Sequence, residues 1–121
     1  MRVLLIDDNE ELRGFLALCL AEVSVDVVSA GDVASALKCA EAERFDAFLV
    51  DSVLQGGDGL ELVSQLHALK NGRGVPVLLM SSISTGLARR MALSVGVSEF
   101  LVKPFGQMQF LEQVKALEKK R

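Results

Sequence analysis

The 121-residue sequence lacks any long apolar run and has few cysteines, and both features limit the classes of protein to which it can belong. No stretch reaches the roughly 18 consecutive apolar residues of a transmembrane helix. The apolar start turns acidic at Asp7, too early for a signal peptide. The two cysteines, Cys19 and Cys39, lie far apart in apolar helical stretches, which predicts buried free thiols rather than a metal site or a redox pair. We therefore expect a soluble, cytoplasmic protein with no membrane association.

Excess basic charge is also absent. The chain has 13 Lys and Arg against 16 Asp and Glu, a formal net charge of -3, so its surface as a whole is not a nucleic-acid footprint. Half of the residues are hydrophobic, and the length is typical of one domain. These features predict a single globular domain that does not bind nucleic acid directly.

Short apolar runs alternate with longer amphipathic segments along the chain. The runs, at residues 3–6, 25–28, 47–50, 77–80 and 100–102, have the length and the Val, Leu and Ile content of strands. The segments between them repeat apolar residues at helical spacing. Five β-α units of this kind predict a parallel sheet with right-handed crossovers and helices on both faces.

The composition of the runs predicts the order of the strands. The first, third and fourth runs are uninterrupted, as in strands that are covered on both faces. The second contains Asp26 and the fifth is preceded by Glu99, which suits edge strands. The predicted fold is therefore α/β, a flavodoxin-like doubly wound sheet of five strands in the order 2-1-3-4-5 with five helices. Ligands of such sheets bind at the carboxyl edge, where the winding reverses between strands one and three.

Polar side chains follow four of the five predicted strands. They are Asp7 and Asp8, then Asp51, then Ser81 and Ser82, and finally Lys103. Parallel strands end at the same edge, so we expect these groups to converge. Each has an ordinary alternative when taken singly, because Asp8 or Asn9 can cap the first helix and Ser82 or Ser84 the fourth.

Electrostatics favours the collective interpretation. Two unit charges about 4 Å apart repel by ~4 kcal/mol at an effective dielectric near 20, so three carboxylates need more neutralisation than one lysine supplies. A small divalent cation held by oxygen ligands meets that need. Mg²⁺ typically binds through one or two carboxylates plus a phosphate, so the pattern indicates a site for a cation and a phosphoryl group. Residues 55–59 lack the glycine spacing and the Lys-Ser/Thr pair of a nucleotide phosphate loop. His67 falls in the third helical segment, away from this edge, where we expect a solvated residue rather than a phosphodonor.

These residues together resemble a known family. Asp7-Asp8, Asp51, Ser81 and the run of residues 96–105, which contains Lys103-Pro104, resemble the receiver domain of two-component response regulators. The resemblance covers essentially the whole chain and has all its landmarks in order. It implies that residues 1–121 are one receiver domain, with no output domain in this chain, and that the protein acts in phosphorelay signal transduction.

The resemblance also implies a role for each site residue. Asp51 would be the phosphoacceptor, taking a phosphoryl group from a sensor histidine kinase or a histidine phosphotransfer protein to form an aspartyl phosphate. Mg²⁺, or Mn²⁺, would be held by Asp8, Asp51 and the main-chain carbonyl of Val53, with Asp7 acting mainly through water. Lys103 would balance charge on the phosphoryl oxygens, and the protein would catalyse its own phosphorylation and dephosphorylation without being an enzyme in the usual sense.

Ser81 and Phe100 are the switch residues that the resemblance implies. The Ser81 hydroxyl would move toward the phosphoryl group, and Phe100 would swing from exposed to buried, although ordinary core packing of Phe100 stays an alternative. The face of the fourth helix, fifth strand and fifth helix would bind a downstream protein, and homodimerisation on phosphorylation stays open. Val53 and Ser82 would control access to the site, and the Lys103-Pro104 bond resembles the cis peptide of the family.

Two other functions are compatible with parts of this pattern. One is a metal-dependent phosphatase or phosphotransferase with Asp51 as nucleophile. The hydrolase pattern, however, has a second aspartate two residues after the nucleophile, where this chain has Val53. The other is a degenerate receiver that acts only in protein interaction, and the complete set of acidic, hydroxyl and lysine landmarks argues against it.

Overall fold

Five strands and five helices alternate in the computed structural model, which describes residues 1–120. The strands are β1 (Arg2–Ile6), β2 (Asp26–Ala30), β3 (Ala47–Asp51), β4 (Val77–Ser81) and β5 (Glu99–Val102). The helices are α1 (Glu10–Glu22), α2 (Val33–Ala42), α3 (Gly59–Ala68), α4 (Gly86–Ser94) and α5 (Gln107–Glu118). A short hairpin that pairs Val53–Leu54 with Gly57–Asp58 lies between β3 and α3, and a 3-10 turn, Lys70–Gly72, follows α3.

The main sheet is parallel throughout and has the order β2-β1-β3-β4-β5. This confirms the predicted strand order and the doubly wound architecture. Every residue of β3 and β4 is buried, whereas β2 and β5 keep partly exposed positions. The run that contains Asp26 and the run that follows Glu99 therefore form the edges, as their composition indicates.

The central strands β3 and β4 each extend one residue past their apolar run, because that residue still pairs with the neighbouring strand. Asp51 pairs with Met80 at the end of β3, and Ser81 pairs with Val102 at the end of β4. Both polar residues are buried. The sheet itself, rather than a loop, thus fixes where Asp51 and Ser81 stand.

Alternate side chains of the strands supply two separate cores. Leu4 and Ile6 of β1 belong to the core beneath α2, α3 and α4. Val3 and Leu5 belong to the core on the opposite face, beneath α1 and α5. Helices therefore cover both faces of the sheet, which leaves its carboxyl edge as the place where polar groups can gather.

Side-chain caps fix where two of the site-flanking helices begin. Asn9 caps α1, accepting a hydrogen bond from the Leu12 N–H at 3.0 Å, which decides between the two predicted candidates. Thr85 caps α4 through the Ala88 N–H at 3.1 Å. Ser82 and Ser84 do not, because α4 begins only at Gly86.

His67 is not the solvated residue that we expected. It is half-buried, with Nε2 lying 2.9 Å from the carbonyl oxygen of Val75. That expectation was wrong because the turn after α3 folds back against the helix. Cys19 is buried and Cys39 half-buried, and both are free thiols. Within residues 1–120, no helix combines the length and apolarity needed to cross a membrane.

Phe110 of α5 gives a test of the core beneath α1 and α5. Its side chain is fully buried and stacks on Phe105, with 5.7 Å between ring centroids. Phe110→Ala is expected to lower the free energy of unfolding by about 3 to 5 kcal/mol, because it removes apolar contacts and leaves a cavity. Met108→Ala on the same helix, where the side chain is 76% exposed, should change it by no more than about 0.5 kcal/mol. Urea unfolding followed by circular dichroism measures both, and equal losses would contradict this packing.

Candidate functional site

Three carboxylates meet at the carboxyl edge of the sheet. Asp7 and Asp8 follow β1, Asp51 ends β3, and one oxygen of each lies within 4.8 Å of the others. Asp7 is fully buried and Asp51 is 6% exposed, whereas Asp8 faces solvent. The structure thus brings together the acids that the sequence separates by 44 positions and leaves the cluster open on the side of Asp8.

Lys103 reaches this cluster from the loop after β5. Its Nζ lies 3.2 Å from Asp51 Oδ1 and 3.8 Å from Asp7 Oδ2. The Lys103 N–H donates to the Ser81 carbonyl at 2.8 Å, and the Lys103-Pro104 peptide is cis, as expected. In the described chain, Lys103 is the one cation within ion-pair distance of these carboxylates.

Asp7 is the most constrained of the three acids. Its Oδ1 accepts a hydrogen bond from the Asn9 N–H at 2.9 Å, but the buried Oδ2 accepts none from residues 1–120. Burial raises the pKa of Asp7 above its ordinary value of 3.8, and the nearby charge of Asp51 raises it further. The Asn9 N–H and Lys103 oppose this rise without cancelling it. The buried carboxylate therefore lacks part of the neutralisation that its charged form needs.

The donor set fits a small, hard divalent cation. Two oxygens bound to the same Mg²⁺ lie at most about 4.2 Å apart, since each bond is about 2.1 Å long. A spacing of up to 4.8 Å thus suits a cation held directly by some of these oxygens and through water by another. Asp7 Oδ2 accepts no hydrogen bond from residues 1–120 and shares the Lys103 ammonium, 3.8 Å away, with Asp51, so it supplies negative charge that such a cation would balance.

Ser81 and Ser82 differ in what they contact. The buried Ser81 hydroxyl donates to the carbonyl of Ile83 at 3.1 Å and accepts from the Ile83 N–H at 3.0 Å. It is therefore engaged with its own loop. Ser82 is exposed and borders an apolar hollow that also includes Leu12 and Lys103.

Val53 and Phe100 have different surroundings. Val53 begins the short hairpin, its N–H is 3.4 Å from Asp51 Oδ1, and its side chain is 66% exposed. Phe100 on β5 is half-buried against the core beneath α4. The guanidinium of Arg89 lies over the Phe100 ring, 4.8 Å from its centroid.

Comparison with known proteins agrees with this geometry. The family model described as the response regulator receiver domain matches residues 3–115. The chain belongs to this family. It is 35% identical over 120 residues to the transcriptional regulatory protein PrrA of Mycobacterium bovis, covering 99% of this chain and 51% of PrrA. It is 33% identical over 106 residues to the cyclic di-GMP phosphodiesterase response regulator RpfG of Xanthomonas campestris, covering 86% of this chain and 28% of RpfG. The receiver thus spans about half or less of these relatives.

Solved receiver structures share its fold. The chemotaxis response regulator CheY4 of Vibrio cholerae superposes with a TM-score of 0.91 at 25% identity, covering 96% of this chain and 97% of CheY4. The receiver domain of a Pseudomonas aeruginosa sensor histidine kinase, with a magnesium ion coordinated in its active site cleft, has a TM-score of 0.87 at 26% identity. That match covers 98% of this chain and 97% of the other.

Gly59 is a residue of this receiver that the sequence analysis missed. It is the first residue of α3, and its N–H donates to the Ser52 carbonyl at 2.9 Å. A Cβ at Gly59 would lie 2.7 Å from Ser52 Cα, so only glycine lets the helix begin this close to the end of β3. The one available signal is Asp58, a helix-capping residue followed directly by glycine.

The substitution Asp7→Asn tests whether the metal-free receiver carries excess negative charge at the carboxylate cluster. Because the folded pKa of Asp7 lies above its unfolded value, the folded state binds more protons between the two, and stability falls as pH rises through that interval. At pH 7 in EDTA, Asp7→Asn should therefore have a larger free energy of unfolding than the wild type. The gain should shrink as pH falls toward the ordinary Asp range.

Urea unfolding at a series of pH values measures this difference. Asp8→Asn is the matched control, because the neighbouring Asp8 is exposed, and it should give a smaller gain. A destabilised Asp7→Asn at pH 7, or a gain that grows on acidification, would contradict the account.

Proposed function

We propose that this receiver accepts a phosphoryl group on Asp51 in a reaction that requires Mg²⁺ or Mn²⁺, and that the modification switches a protein-binding surface in phosphorelay signalling. The observation that carries the proposal is the acid excess at the carboxyl edge, where three carboxylates within 4.8 Å share the ammonium of Lys103. Phosphoryl transfer depends mainly on positioning and on charge neutralisation, which such a site supplies once a divalent cation binds.

Asp51 would act as the nucleophile. One of its carboxylate oxygens bonds to the phosphorus of a phosphohistidine on a sensor histidine kinase or a histidine phosphotransfer protein. The phosphorus–nitrogen bond breaks, the imidazole nitrogen keeps the electron pair, and an aspartyl phosphate results. Lys103 Nζ lies 3.2 Å from Asp51 Oδ1, within reach of the transferred phosphoryl oxygens.

Asp7, Asp8, Asp51 and the main-chain carbonyl of Val53 would hold the cation, with Asp7 acting mainly through water. The bound cation would balance the negative charge of the phosphoryl oxygens. The magnesium ion coordinated in the active site cleft of the similar Pseudomonas receiver supports a divalent cation at this edge.

Val53 and Ser82 would set the access of water to the aspartyl phosphate. Both are exposed beside the site, Val53 next to Asp51 and Ser82 next to Lys103. Their size and polarity would thus tune the rate of dephosphorylation. In this proposal the receiver catalyses its own phosphorylation and hydrolysis and turns over no external metabolite.

Ser81 would couple the phosphoryl group to the rest of the domain. Its hydroxyl donates to the Ile83 carbonyl in the unphosphorylated receiver, so donation to a phosphoryl oxygen requires that contact to break. The loop between β4 and α4 would move with it. Phe100 would then leave its position beneath Arg89 and turn inward, which changes the surface of α4, β5 and α5.

The surface of α4, β5 and α5 is the proposed docking site for a downstream protein. Leu87 and Met91, one turn apart on α4, are 60% and 49% exposed and would supply apolar contacts. A second phosphorylated copy is the alternative occupant. We place this signalling in the cytoplasm, because the free thiols of Cys19 and Cys39 fit a reducing compartment.

Phosphorylation is tested with a small-molecule phosphodonor and Mg²⁺, followed by intact mass measurement. The wild type should gain the mass of one phosphoryl group, and omission of Mg²⁺ should abolish the gain. Asp51→Asn should gain nothing, whereas Asp58→Asn should react like the wild type, since Asp58 is an exposed helix cap beyond the same strand.

Three outcomes would overturn the assignment. An adduct on Asp51→Asn would mean that another residue is the acceptor. No adduct on the wild type would favour an interaction-only domain, and rapid turnover of many phosphoesters would favour a phosphatase.

The switch is tested at Phe100 by NMR with beryllium fluoride, a phosphoryl mimic, and Mg²⁺. Contacts between the Phe100 ring and the Arg89 side chain should weaken, and contacts with buried methyl groups should strengthen. Asp51→Asn under the same conditions should show no change. A Phe100 ring that stays under Arg89 in the wild type while the mimic is bound would contradict the switch.

A further inference from the structure

Arg13 of α1 contacts the main chain of the acidic pair Asp7-Asp8. Its Nη1 donates to the main-chain carbonyl oxygen of Asp7 at 2.7 Å. The guanidinium also lies against Gly31, where a Cβ would be 2.9 Å from Nη1. The half-buried Arg13 thus bridges the chain just after β1 and the chain just after β2.

The carbonyl that Arg13 contacts belongs to the peptide unit between Asp7 and Asp8. A peptide unit is planar, so a hydrogen bond that fixes its oxygen also fixes the direction in which the chain continues to Asp8. Two further hydrogen bonds stabilise the same turn. The Asp7 N–H donates to the Ala30 carbonyl at 3.2 Å, and the Asn9 N–H donates to Asp7 Oδ1. Arg13 therefore acts on the orientation of both acids without contacting either carboxylate.

We propose that Arg13 is a positioning residue for the cation site, holding the Asp7-Asp8 peptide so that both carboxylates face the cation. This inference rests on the proposed Mg²⁺ site. Groups that orient metal ligands without touching the metal typically change affinity by about 10- to 100-fold when they are removed.

Charge and position predict opposite effects of removing Arg13. A guanidinium is permanently protonated and repels a nearby divalent cation, so loss of its charge alone would strengthen Mg²⁺ binding. Loss of orientation would weaken binding. The sign of the change therefore separates positioning from simple electrostatics.

Calorimetric Mg²⁺ titration of four variants makes this test. Arg13→Met removes both the charge and the hydrogen bond, and Arg13→Lys keeps the charge but not the planar donor. Gly31→Ala keeps Arg13 and its charge but places a methyl group 2.9 Å from Nη1, so the guanidinium has to shift slightly. The control is Arg44→Met, because Arg44 is an exposed arginine that also donates to main-chain carbonyls, those of Asn71 and Arg73.

We expect the Mg²⁺ dissociation constant to rise about 10-fold or more in Arg13→Met and to rise also in Arg13→Lys and Gly31→Ala. It should stay unchanged in Arg44→Met. Unchanged or tighter binding in a folded Arg13→Met would overturn the inference. If Arg13→Met does not fold, unchanged or tighter Mg²⁺ binding in both Arg13→Lys and Gly31→Ala would overturn the inference.

A metal-free measurement keeps this inference separate from the proposed function. The NMR signals of the Asp8 and Asn9 amides should shift in Arg13→Met and Gly31→Ala in EDTA, whereas amides of β3 should not. If the wild type binds no Mg²⁺, the proposed function fails while these shifts still report on Arg13. Unmoved Asp8 and Asn9 amides in both variants would show that Arg13 does not position the acidic pair.

Discussion

The ion pairs from Lys103 to Asp51 and Asp7 join the chain after β5 to the carboxyl ends of β3 and β1. They form only when β1, β3 and β5 run parallel in the order β2-β1-β3-β4-β5, so they depend on the whole topology. The same convergence adds Asp8 and leaves the edge with more negative than positive charge. The fold thus places excess negative charge at this edge of the sheet. In the proposed chemistry, a bound cation balances that charge and Asp51 accepts a phosphoryl group.

Stability and function make opposite demands on this edge. Burial raises the pKa of Asp7, so its charged form costs the metal-free protein stability. The chain holds the acids in place largely through main-chain contacts: the Asn9 N–H binds Asp7, Arg13 binds the Asp7 carbonyl, and Gly59 lets α3 begin beside Asp51. These contacts fix the carboxylates while leaving oxygens available to a ligand.

The sequence was sufficient to predict the strand order and the residues at the carboxyl edge. Uninterrupted apolar runs indicate which strands are covered on both faces, and the polar residues that follow the runs mark where the strands end. It did not predict features that depend on contacts between segments. The contact of His67 with Val75 arises from a turn that has no periodic pattern, and Gly59 matters only because α3 begins against β3. Phe15 shares the apolar helical spacing of α1 yet is 50% exposed, whereas Leu16, Cys19 and Leu20 of the same helix are buried. The roles of individual site residues came from family resemblance rather than from periodicity.

The most direct test of the central claim is the anomalous X-ray scattering of Mn²⁺ in crystals of the receiver. We expect one strong anomalous peak at the carboxyl edge, in direct contact with oxygens of Asp8 and Asp51 and within one water of Asp7. The peak should disappear in Asp51→Asn crystals that are treated identically. A wild-type structure with no peak at these three carboxylates, or with its peak elsewhere on the surface, would contradict the account.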